Sequence, residues 1–169
     1  AQDLMNTPLL KAFDLGKEPQ AVRKAYGGDF GQMCLLSRRL VEAGVPFIEI
    51  GLNGWDTHNN NFEAVKNLSG SLDTGFGHLM KDLVERDLLK DTLVLWAGEF
   101  GRTPEINAGN GRDHWTKCWS VVMAGAGIQG GRVIGETDKD GMEIRNRPVP
   151  VQDYFATIYK ALGIDPEKK

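Results

Sequence analysis

The sequence has few of the features that assign a chain to a specialised class. It holds only two cysteines, Cys34 and Cys118, far apart and in no CxxC pair. They make neither a disulfide framework nor a zinc knuckle, and they leave the redox compartment open. Basic charge is not in excess: 20 Lys and Arg stand against 23 Asp and Glu, a formal net charge of −3. Such a balance supplies no field for nucleic acid or an anionic membrane, so both are excluded as expected partners. Long apolar runs are missing too. The longest, residues 92–97 and 121–128, fall far short of the ~20 residues a membrane-spanning helix needs, and no membrane insertion is expected. The opening AQDLMNTPLLKAFDLGKEP carries no basic segment followed by an apolar one, so no signal peptide is read in it. Internal repeats, low-complexity tracts and long linkers are also lacking.

What remains is an ordinary globular composition, 41% hydrophobic and 25% charged, in 169 residues. That length suits a single domain with a sizeable core. The first ~28 residues read as short helical or irregular pieces broken by Pro8, Pro19 and the Gly27–Gly28 pair. A helix is expected from Asp29, with an Asp cap, a stripe of Met33, Leu36, Leu40 and Val41, and Gly44 as its stop. VPFIEIGL, residues 45–52, reads as a strand rich in β-branched and aromatic side chains.

A long helix follows over residues 62–89, where Leu72, Phe76, Leu79 and Leu83 share one face. His78 falls on the opposite face, as a solvated residue, and Asp73 on the stripe's edge. TLVLWAG, residues 92–98, is a second strand whose near-continuous apolar run implies burial on both faces. Residues 119–127 and 131–137 are further strand candidates. A closing helix carries Val151, Tyr154, Phe155, Ile158 and Leu162 before Gly163. Strand–helix–strand order with buried strands predicts one α/β domain of three layers.

Three polar clusters fall in the loops: GWDTHNNNF with Asp56 and His58, GEFGRTP with Glu99 and Arg102, and NGRDHWTK with Arg112, Asp113 and His114. The first two directly follow expected strands, and ligands of α/β sheets bind at the carboxyl ends of strands. A helical crossover makes those two strands parallel. An antiparallel third strand brings His114 to the same edge. The spacing therefore predicts that Asp56, His58, Glu99 and His114 converge. Two imidazoles and two carboxylates suit zinc or another first-row divalent ion better than calcium or magnesium. Arg102 and Arg112 offer planar forks to an anionic substrate.

Blander readings stand beside these. Asp56 and Thr57 could cap the following helix, leaving His58 on the surface. Glu99 could pair with Arg102, and His114 beside Trp115 could be a packed core histidine. Asp113 reads as a turn residue or a support for a ligand, and Asp73 as a helix-edge carboxylate. Cys34 and Cys118 read as buried apolar fillers, and the aromatic residues near the loops as packing.

With GWDTH, LD at residues 72–73, DTLVLWAGEFGRTP and GRDHW in that order, the sequence resembles a bacterial family abundant in planctomycetes. That family carries a domain-of-unknown-function label and sits within the alkaline phosphatase and sulfatase superfamily. The resemblance runs from DLGKEP to YKALGIDP. It implies an alkaline phosphatase-like α/β/α sandwich, with a mostly parallel sheet and an antiparallel strand after His114. Asp56, His58 and His114 look like ligands of one metal, zinc or manganese. Glu99 stands where the superfamily has the Asp of an Asp-His-Gly motif for a second metal, but Phe100 replaces that motif's His. The resemblance places the nucleophile in an earlier part of the domain, so residues 1–169 correspond to its carboxyl-terminal portion. Relatives of this type are exported or periplasmic.

The expected function is a metal-dependent hydrolase of phosphate or sulfate esters, with Arg102 facing a small anionic ester. The alternative is a non-catalytic envelope-associated or binding protein that keeps the fold and perhaps a structural metal. Substrate and oligomeric state are not legible.

Overall fold

The computed structural model of the chain describes residues 8–167. Residues 1–7, the start of the expected short helical pieces, lie outside the described residues. The chain divides into two compact units. One is built from residues up to Asp56 together with Phe62–Leu88, the other from Thr57–Asn61 together with the residues from Leu89 onward.

The first unit is helical. It contains α1 (Pro8–Ala12), a 3-10 turn (Leu15–Lys17), α2 (Gln20–Tyr26), α3 (Asp29–Glu42) and all but the first residue of α4 (Asn61–Glu85). The cap of α3 is Gly28, whose extended backbone makes no side-chain cap bond; Asp29 is the first helical residue. Its carboxylate there suits the positive end of the helix dipole. The stop is as expected. Gly44 adopts φ 78°, its N–H donates to the Val41 carbonyl at 2.9 Å, and the Val45 N–H reaches the Leu40 carbonyl at 3.0 Å. Those two bonds are a Schellman closure, which a glycine makes without Cβ strain.

The buried face of α3 differs from the expected stripe. Met33 is exposed and Leu36, Leu40 and Val41 are half-buried, while Phe30, Cys34, Leu35 and Arg38 are buried. The cause is an ion network that makes a charged residue part of the core. Arg38, 2% exposed, reaches Glu18 at 2.8 Å, Glu42 at 2.7 Å and Asp82 at 3.4 Å. The Tyr26 hydroxyl donates to Asp82 at 2.9 Å, and Arg39 donates to the Lys11 and Ala12 carbonyls that end α1. A count of apolar residues passes over such an arginine. On α4, Leu79 and Leu83 are buried and Leu72 and Phe76 half-buried, as the spacing requires. His78 is half-buried rather than solvated, its ring centroid 5.6 Å from that of Tyr26 and its Nδ1 2.9 Å from the Thr74 carbonyl. Helices α3 and α4 approach at two glycines: a Cβ on Gly75 would stand 2.9 Å from the Gly31 Cα.

The second unit holds a 3-10 turn (Leu89–Asp91), six short strands and α5 (Val151–Ala161). The strands are β1 (Val94–Trp96), β2 (Gly101–Arg102), β3 (His114–Trp115), β4 (Val122–Ala124), β5 (Glu136–Thr137) and β6 (Ile144–Asn146). They form three separate two-stranded antiparallel pairs, β1 with β4, β2 with β3, and β5 with β6.

The expected α/β/α sandwich with a mostly parallel sheet is therefore overturned: among the described residues there is no parallel pair. Residues 45–52 have the composition of a strand but no partner to bond, and Phe47 is 80% exposed. Composition reports how well a residue suits a pleated surface; a strand exists only where a neighbour accepts its backbone bonds. Without that first strand, the crossover from which parallelism was deduced has nothing to join. The apolar run at residues 92–98 pairs along one edge only, in register Val94↔Ala124, Leu95↔Met123 and Trp96↔Val122. Leu95 and Trp96 are exposed rather than buried on both faces.

The two cysteines are free. Cys34 is fully buried, its thiol pushed up to about 12 by desolvation, and Cys118 is half-buried with its Sγ 3.4 Å from the Gly141 carbonyl. Asp73 is exposed. Among the described residues no helix is long and apolar enough to cross a membrane.

Candidate metal centre

Two polar loops of the second unit are laced together by backbone bonds. The Arg112 N–H donates to the Thr57 carbonyl at 3.0 Å, the Asn61 N–H to the Asn110 carbonyl at 2.9 Å, and the Asn60 N–H to the Gly109 carbonyl at 3.1 Å. The approach is close enough to require glycine at one position. A Cβ on Gly111 would lie 1.9 Å from the His58 carbonyl oxygen. Asn60 and Asn110 both take left-handed conformations, at φ 50° and 55°, which asparagine tolerates better than most residues. Thr57 is buried beneath them, its hydroxyl accepting from the Asn61 side chain at 2.6 Å.

Asn107 is the hub. Its Oδ1 accepts from the Gly109 and Gly111 N–H groups, each at 2.9 Å. Its Nδ2 lies 3.0 Å from the His58 carbonyl and 3.1 Å from Asp113 Oδ1. The second loop is further closed onto β2, because Thr103 and Asp113 exchange bonds of 2.9 and 3.0 Å.

On this frame the imidazoles meet. His58 Nδ1 lies 2.8 Å from Asp113 Oδ1, and His58 Nε2 lies 3.2 Å from His114 Nε2. With Nδ1–H donated to Asp113, the His58 Nε2 carries a lone pair aimed at its counterpart on His114. Two nitrogens bound to one zinc at ~2.0–2.1 Å in tetrahedral geometry stand about 3.3–3.4 Å apart, so the observed separation fits a shared ion. Asp56, two residues before His58 on the same segment, offers a carboxylate oxygen, and the ligand atoms of Asp56, His58 and His114 all lie within 4.8 Å of one another. Two nitrogens and one oxygen are a donor set suited to a first-row divalent ion. Asp113 stands behind the His58 imidazole, the place of a carboxylate that fixes the tautomer and ring orientation of a metal-ligating histidine. Hydrogen bonds from His58 and Asn107 hold the Asp113 carboxyl below the usual carboxylate range.

Of the residues expected to converge, then, Asp56, His58 and His114 come together. Glu99 is outside that three-residue group. It is 65% exposed, with Oε1 3.4 Å from an Arg102 nitrogen. Arg102 is the direct register partner of His114 across β2 and β3, which puts the two side chains on one face of the ribbon. Phe100 fills the intervening space: its ring centroid is 4.7 Å from that of His114 and 5.5 Å from the Arg102 guanidinium carbon. Arg112, the other fork expected for an anion, has one nitrogen engaged in the loop. Its Nη1 donates to the Thr103 and Pro104 carbonyls at 2.6 and 2.8 Å, holding the loop.

Reading the sequence missed Asn107 altogether. The only signal for it was the turn chemistry of NAGNG, which marks a tight polar loop but not which asparagine bridges to His58.

No curated protein and no solved structure matches the chain. The family model described as "Protein of unknown function (DUF1501)" matches residues 1–169, the whole sequence, and the chain belongs to that family.

Proposed function

We propose that this chain carries the metal-binding part of a hydrolase of phosphate or sulfate esters, of alkaline phosphatase and sulfatase type. The observation that carries the reading is the pair of facing Nε2 atoms, 3.2 Å apart, with Asp113 behind His58. Asp56, His58 and His114 would hold the ion, zinc being favoured by the two imidazoles and manganese being the other candidate. A divalent ion there supplies Lewis acidity toward a phosphoryl or sulfuryl oxygen.

The chain's own residues do the rest. Asp113 keeps His58 in the tautomer that presents Nε2, and Asn107 keeps Asp113 and the His58 backbone in place. Arg102, on the face of the ribbon that carries His114, offers a delocalised cation to the ester anion. Glu99 tethers that guanidinium, and the Phe100 ring limits where it can go. No nucleophile is assigned among these residues.

A second reading is a non-catalytic binding or envelope-associated protein, with or without a structural metal. Phe100 favours it, because an aromatic ring that cannot ligate stands against His114. Metal analysis decides first. The purified chain is expected to hold one divalent transition ion, lost in Asp56→Ala and in His114→Ala, and a longer protein that joins it to the nucleophile-bearing part to hydrolyse 4-nitrophenyl phosphate or sulfate at a rate that His114→Ala reduces at least ~100-fold. Absence of any bound metal sinks the hydrolase reading and leaves the second, without its metal. A bound metal whose loss lowers stability without any ester turnover leaves the second.

A further inference from the structure

A groove of about 600 Å³ opens on the second unit beside the metal centre, and nothing in the reading above uses it. Its lining includes Phe100 and Arg102, the residues next to His114, together with Ile144, Arg147, Val149 and Trp119. A phosphate or sulfate ion would fill a small part of this space. The walls are of mixed character. Trp119, Ile144 and Val149 are 42%, 41% and 49% exposed, which leaves apolar surface open within the groove. Arg147 departs from its surroundings in two ways. Its backbone is left-handed, φ 46°, an uncommon conformation for a side chain of this size. Among the described residues its guanidinium also makes no ion pair or side-chain hydrogen bond. The groove's lining thus includes, besides Arg102, a second cation without a protein acceptor among the described residues, and backbone strain of this kind collects at functional sites.

Resting on the metal-hydrolase reading, we infer that this groove is the subsite for the alcohol portion of the ester, and that the substrate class is an ester with an aryl or similar apolar body carrying a second acidic group. The esterified anion lies toward His114 and Arg102. The apolar body lies on Ile144, Val149 and Trp119, and the second acidic group meets Arg147 as a charge-assisted pair.

Three non-hydrolysable or inert probes test this on the zinc-supplemented protein: inorganic phosphate, phenylphosphonate and 4-phosphonobenzoate. Binding is followed by calorimetry and by the Trp119 indole N–H resonance, assigned with Trp119→Phe. Affinity should rise at each step, by about fivefold or more, first for the ring and then for the carboxylate. Val149→Ser should remove the first gain and Arg147→Gln the second, with Arg147→Lys restoring part of it. Both positions are exposed, and an unchanged far-ultraviolet spectrum checks that the variants fold.

Equal affinity for the three probes overturns the inference, as does an Arg147→Gln variant that weakens all three alike. The two readings fail separately. If phosphate binds only with zinc but gains nothing from the ring, the subsite is wrong and the metal centre stands. If 4-phosphonobenzoate moves the Trp119 resonance in an Arg147-dependent way with no zinc bound, the subsite stands and the metal reading falls.

Discussion

Asn107→Ala should unlock the loop that carries Asp113 and His114 without unfolding the first unit. The side chain makes four contacts, two accepted at 2.9 Å from Gly109 and Gly111 and two donated at 3.0 and 3.1 Å to the His58 carbonyl and Asp113. A net hydrogen bond contributes about 0.5–1.5 kcal/mol, so four give ~2–6 kcal/mol before water replaces any of them. The two bonds to backbone N–H groups and the one to the His58 carbonyl are partly buried, and the one to Asp113 is exposed. Allowing water to recover the exposed bond and part of the others leaves a local loss of about 2–3 kcal/mol. Native-state hydrogen exchange reads this directly at the Gly109 and Gly111 amides. Since 1.4 kcal/mol is tenfold in an equilibrium, their protection should fall by roughly 30- to 150-fold. Amides of the buried face of α3 should not change. Asn107→Asp separates the two halves of the role. It keeps the acceptor for both glycines, so protection there should largely survive. It also replaces the donor facing Asp113 by a second carboxylate, which should weaken metal binding more than alanine does. If the glycine amides exchange equally fast in the wild type and in Asn107→Ala, the loop is held by something else and this account of the site is wrong.

Other consequences are checked more simply. Gly75→Ala should destabilise the first unit by about 1–3 kcal/mol through its clash with Gly31, whereas Gly77→Ala, with nothing within 4 Å, should gain up to ~1 kcal/mol of helix propensity; urea denaturation of both should give opposite signs. Glu18 resists the rise that burial imposes, because hydrogen bonds and charge from Arg38 and Arg39 lower its pKa below 4.5. Its folded value is thus depressed, so its contribution is full above pH 4.5 and is lost as pH falls through the folded value. Glu18→Gln should flatten the acid limb of a stability–pH curve and leave the neutral limb sloped as before. The Cys34 thiol, fully buried and pushed up to about 12, should resist iodoacetamide at pH 8 until the protein is unfolded. Asp113→Ala should weaken zinc binding about 10- to 100-fold in a competition titration with little loss of stability, since the side chain is 54% exposed.

How much of this was legible depended on whether the controlling contact was local. The Gly44 stop of α3, the apolar face of α4 and the Gly163 end of α5 are decided within one or two turns, and they read correctly. At α5 the same Schellman bonds recur, Gly163 N–H to Lys160 and Ile164 N–H to Tyr159. The buried face of α3 did not read correctly, because Arg38 is buried only by virtue of Glu18 and Asp82, residues remote in sequence. Residues 45–52 failed for the same reason in reverse: a strand composition without a partner. At the site, each of the segments DTH and RDH also had a bland reading. The Nε2–Nε2 approach that separates the readings depends on Asn107 and Gly111 bringing the two loops within bonding distance. Glu99 illustrates the limit of arguing from a shared edge, since its pairing with Arg102 was one of the bland readings and is the contact observed.

The distribution of burial also bears on what a metal would do here. The buried apolar side chains among the described residues, Ala12, Tyr26, Phe30, Cys34, Leu35, Leu79 and Leu83, all belong to the first unit. Among the described residues the second unit contributes only Thr57 and Asn61 to the buried side chains, and both are polar. Its loops are ordered by hydrogen bonds, each worth little net in the presence of water, rather than by an apolar core. An ion shared by His58 and His114 would join the two loops that Asn107 already bridges, and the free energy of binding it would be expressed as stability of that unit. Chelation should therefore lower protection at Gly111 while leaving the Arg38-centred helices unchanged. A uniform loss across both units would show instead that the ion's effect is not confined to the loops it ties.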